Sequence, residues 1–95
     1  MKSFQLTVDQ ASLNEVPAGQ LLPGEFFIDK GINSRLFMVL QQEDNAQVTY
    51  NLQMADRVAA VPIASQVGGT PLIAANNRDS MVLKVGANDF EFIEN

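Results

Sequence analysis

The chain has 95 residues, of which 46% are hydrophobic and 18% charged, and its 11 acidic and 6 basic side chains give a formal net charge of −5. This length predicts a single β domain over residues 1–95, and the composition excludes a disordered chain and opposes binding to the phosphates of a nucleic acid. The absence of cysteine and histidine excludes disulfides, thiolate metal sites and histidine-based catalysis.

The first elements are a strand and a short helical turn. Residues 3–8 alternate polar and apolar side chains, which is the pattern of a half-buried strand. Residues 9–16 predict one helical turn with Asp9 as its N-cap and with Leu13 and Val16 facing inward. The proline that follows ends this turn.

A loop and a hairpin come next. Residues 17–24 predict a loop in which Pro23 and Gly24 occupy the central positions of a type II turn. Residues 25–29 and 35–42 are both dense in apolar side chains and flank the polar segment KGINS, so we expect an antiparallel β-hairpin.

The rest of the chain predicts short strands separated by turns. Residues 48–54 show the clearest alternation in the sequence. Residues 55–67 predict an extended edge strand, where Pro62 would remove no hydrogen bond of the sheet. Three more strands are expected at 72–76, 81–85 and 90–94. About eight short strands predict an all-β fold, a small antiparallel sandwich or barrel.

The strand at 35–42 has apolar side chains on both faces, because Leu36 and Phe37 point in opposite directions. Loops such as residues 17–22 would cover the second face in a closed sandwich. Alternatively, a protein partner covers it, and Phe37→Asp would then abolish assembly without unfolding the domain. On this second hypothesis the interface consists of Phe26, Phe27, Leu36, Phe37, Val39, Leu21 and Leu22.

Small, cysteine-free, amide-rich β domains of this kind resemble phage accessory structural proteins, such as head decoration, cement and tail proteins. The resemblance implies a non-enzymatic virion component that packs against copies of itself or against a larger structural protein. We therefore expect an oligomer or part of an assembly, with no cofactor, no nucleic-acid partner and no membrane partner.

Targeting signals are the next feature. The first ten residues alternate instead of forming an apolar core, so no signal peptide is predicted. The longest apolar run, LFMVL, is far shorter than the roughly 20 residues that span a bilayer. We expect synthesis in the host cytoplasm, followed by incorporation into the virion if the protein comes from a phage.

An alternative function is a small β-barrel that binds a ligand or inhibits a host protein. The aromatic side chains of Phe26, Phe27, Phe37 and Tyr50 would then form the pocket or the hot spot. An apolar cavity in the monomer would favour this alternative, whereas a flat apolar face would favour assembly.

Catalytic and metal sites receive little support. Glu25 and Asp29 are four residues apart, so on one strand they lie about 13 Å apart, too far for a glycosidase pair. The oxygen-rich segments Glu43–Asn45 and Asn76–Ser80 lack the spacing of a calcium loop, and side chains of this kind are also typical of turns. We predict no catalytic residues and no metal site.

Overall fold

The computed structural model describes residues 2–29, 34–41, 57–65 and 74–93. This part of the chain contains eight strands and two short 3-10 helices and no α-helix, which confirms the predicted all-β class. The strands are β1 Lys2–Leu6, β2 Asn14–Pro17, β3 Phe26–Ile28, β4 Arg35–Val39, β5 Arg57–Ser65, β6 Ala74–Asn77, β7 Met81–Val85 and β8 Phe90–Ile93.

The strands form one sheet in the order β2-β7-β3-β4-β5-β1-β8. The remaining strand, β6, is not part of this order and pairs with β5. All pairs are antiparallel except β1 with β5, which is parallel, so the sheet is mixed. The hairpin predicted from residues 25–42 is present, with Phe27 opposite Phe37. The predicted strands at 81–85 and 90–94 correspond to β7 and to β8, which ends at Ile93.

The strand predicted at an edge of the sheet over residues 55–67 is described over Arg57–Ser65 and lies inside the sheet, so the expectation of an edge position was wrong. Strand β5 pairs with β4 on one side, while β6 and β1 share its other side. The pairing with β6 ends at Ala60 and the pairing with β1 begins at Ala64. Pro62 lies between these two stretches and opposite Phe37, next to a β-bulge. Proline has no backbone N–H, and at this irregular position its absence removes no hydrogen bond of the regular sheet.

The segment after β1 also differs from the prediction. The expected helical turn is a 3-10 helix over Gln10–Ser12 with Asp9 at its N-cap, although the Asp9 side chain makes no capping hydrogen bond. The residues after it form strand β2, which the sequence analysis did not predict, because Val16 and Pro17 pair with Val82 and Met81 far along the chain. A second 3-10 helix spans Ala18–Gln20 within the predicted loop.

Two buried clusters lie on the two faces of the sheet. The outer cluster consists of Ala18, Leu21, Phe27, Phe37, Val39, Val58, Ala60 and Val82. The inner cluster consists of Phe4, Ile28, Leu36, Ala64, Leu83 and Val85. Because β3 and β4 contribute alternate residues to both clusters, their two faces are both buried.

The sheet is strongly curved around the inner cluster. Phe26 of β3 contacts Phe90 of β8 edge to face with ring centroids 5.4 Å apart, although three strands separate β3 from β8 in the sheet. A flat sheet would hold these strands much further apart, since neighbouring strands are spaced by about 4.8 Å. The curvature therefore brings the two halves of the sheet together, as in a small sandwich or partly open barrel.

Some predictions concern residues outside the described part of the chain. These are the strand at 48–54 with Tyr50, the oxygen-rich segment Glu43–Asn45, and residues 30–33 of the KGINS segment in the predicted hairpin. Within the described residues, no helix is long and apolar enough to cross a bilayer.

Candidate interaction sites

Most of the predicted interface is buried inside the single chain. Phe27 and Leu36 are 0% exposed and Phe37 and Val39 only 2%. Leu21 is buried as well, and Phe26 is half-buried against the inner cluster. The premise that one chain cannot shelter the two-sided strand β4 was therefore wrong, and these buried side chains cannot form a docking surface in the folded domain.

The cover on the second face comes from the segment between β2 and β3. Ala18 and Leu21 pack onto Phe27, Phe37 and Val39 in the outer cluster. The segment is held against the turn after β6 by two backbone hydrogen bonds, from Ala18 N–H to the Ser80 carbonyl at 2.8 Å and from Gly19 N–H to the Arg78 carbonyl at 2.9 Å. The expectation that residues 17–22 cover this face is thus confirmed for Ala18 and Leu21.

The aromatic pocket of the ligand-binding alternative is not open at its described residues. Phe27 and Phe37 stack on each other with ring centroids 5.0 Å apart and ring planes 13° apart, and the Arg35 guanidinium lies 5.1 Å from the Phe37 centroid. Both rings are buried in the outer cluster together with Ala18 and Leu21 of the covering segment. The two rings therefore act as core side chains and leave no cavity between them for a ligand.

Leu22 differs from the other predicted interface residues because it is 66% exposed. It opens the turn of residues 22–25, named here the Leu22 turn, in which Glu25 N–H donates to the Leu22 carbonyl at 3.0 Å. Gly24 has a φ of +87°, as the predicted type II turn requires at its third residue. Leu21, which precedes the turn, is buried. The ring of Pro23 restricts the backbone φ angle at the second position of the turn.

Further hydrogen bonds hold the Leu22 turn rigidly. The Glu25 carboxylate accepts a hydrogen bond from Leu22 N–H at 2.6 Å. Gly24 N–H donates to the Val39 carbonyl, and Val39 N–H donates to the Glu25 carbonyl, at 2.9 and 3.0 Å. The turn is thereby attached to the end of β4. An exposed leucine on such a preformed turn loses little conformational entropy when it binds.

An ion pair fixes the carboxylate of the Leu22 turn. Lys84 Nζ lies 2.7 Å from Glu25 Oε2. The hydrogen bond from Lys84, and after it the backbone N–H of Leu22, lower the pKa of Glu25 below its usual value, and partial burial opposes this shift only in part. Glu25 therefore stays ionised at neutral pH and accepts both hydrogen bonds.

A second exposed apolar group lies on β8, at one end of the described sheet. Phe92 is 44% exposed and Ile93 39%, and the two side chains point to opposite faces. Phe92 packs against Phe90 with ring centroids 5.6 Å apart. The interface predicted from the sequence does not contain these residues, although FEFI has the same two-sided apolar pattern as β4.

An open depression of about 280 Å³ lies at the start of β2. It is named here the Leu83 depression, and its lining residues are Gln10, Ala11, Leu13, Glu15 and Leu83. Leu83 is buried in the inner cluster, and Leu13 packs against that cluster. Small-molecule sites usually enclose most of the ligand surface, and this open depression lacks that enclosure.

The acidic and oxygen-rich residues have structural partners. Asp29 accepts a hydrogen bond from Arg35 N–H at 2.7 Å, whereas Glu25 pairs with Lys84. In the segment Asn76–Ser80, the Asn77 side chain accepts a hydrogen bond from Asp79 N–H at 3.0 Å, which closes a turn. Among the residues that the structure describes, no three His, Cys, Asp or Glu side chains are grouped as a metal would require.

Comparison with known proteins gives no family for this chain. No family model matches it, no curated protein matches it, and no solved structure matches it.

Proposed function

We propose that the protein is a non-enzymatic structural domain that assembles with a protein partner, either further copies of itself or a larger structural protein. The observation that carries this proposal is Leu22, which is 66% exposed on a turn held by backbone hydrogen bonds and by the Glu25 carboxylate. A turn whose backbone is already ordered loses less conformational freedom on docking than a flexible loop does. Of the seven predicted interface residues, five are buried, Phe26 is half-buried and Leu22 is exposed.

The more specific proposal is that the domain is an accessory component of a phage virion, such as a head decoration, cement or tail protein. It is supported by the low charge and by the amide-rich, cysteine-free composition of the chain. Such a surface favours close hydrogen-bonded packing over long-range electrostatic steering. Flanking genes for capsid or tail proteins would support this proposal and would identify the particle to use in a binding assay.

The test compares the wild-type protein with Leu22→Asp. We expect the wild-type protein to self-associate in sedimentation velocity or to co-sediment with the assembled particle, and we expect Leu22→Asp to lose this binding while keeping its circular dichroism spectrum. Val8→Asp is the matched control, because it makes the same change at another exposed apolar side chain, which is 37% exposed. Equal binding by wild type and Leu22→Asp would remove the support for this function.

A further inference from the structure

We draw no further inference here: the strongest candidate, the exposed apolar patch of Phe92 and Ile93 on strand β8 at one end of the described sheet, has nothing in the structure to show what covers it.

Discussion

Replacement of Phe37 by alanine should destabilise the folded domain strongly. Phe37 is 2% exposed and stacks on Phe27 with ring centroids 5.0 Å apart. Removal of a fully buried phenylalanine costs about 3–5 kcal/mol. A chain of this length has a free energy of unfolding of roughly 5–14 kcal/mol, so this single change would remove a large part of it.

Urea denaturation followed by circular dichroism measures this loss. We expect Phe37→Ala to lower the urea midpoint by more than about 1 M, because the slope for small domains is about 1–3 kcal/mol per molar urea. Phe92→Ala is the matched control, and since Phe92 is 44% exposed its replacement should cost roughly half as much or less. Equal losses for the two variants, or a loss below about 1 kcal/mol for Phe37→Ala, would refute the assignment of Phe37 to the core. The same burial reverses the expectation from sequence that Phe37→Asp spares the fold.

Three further predictions concern the loops. Gly19→Ala would place a Cβ 3.0 Å from Arg78 Cβ and 3.1 Å from the Arg78 carbonyl oxygen, so we expect a loss of about 1–3 kcal/mol in a thermal melt, and an unchanged melting temperature would contradict this close approach. No atom would obstruct a side chain at Gly24, but its φ of +87° is strained for other residues, so Gly24→Ala should cost about 1–2 kcal/mol. Gly24→Asn should cost less, because asparagine adopts a positive φ more readily than alanine. Since Lys84 and the turn lower the pKa of Glu25, its contribution to stability is present above the usual pKa of 4.5 and is lost as the pH falls through the lower pKa of the folded state. The pH dependence of the free energy of unfolding should therefore be weaker in Glu25→Gln, and identical acid profiles would contradict the role of the ion pair.

The Leu22 turn shows how far the sequence alone predicted the candidate site. Pro23 and Gly24 predict a type II turn from their own backbone preferences, and the structure has the required positive φ at Gly24. The sequence could not show which of Leu21 and Leu22 is buried and which is exposed, because two adjacent leucines in a loop have the same local pattern. The Leu83 depression was also missed, since its lining joins Gln10 to Leu83 across most of the chain.

The sequence by itself determined the all-β class, the hairpin of β3 and β4, and the strands β1, β7 and β8, because alternation and turn residues act over a few neighbouring positions. Tertiary structure alone decided that β5 lies inside the sheet and not at its edge, since its partner β1 comes from the start of the chain, far from β5 in the sequence. It also decided which apolar side chains remain exposed. The apolar residues on both faces of β4 indicate that both faces are buried away from water. The side chains that cover Phe37, those of Ala18 and Leu21, come from another part of the chain, which local periodicity does not encode.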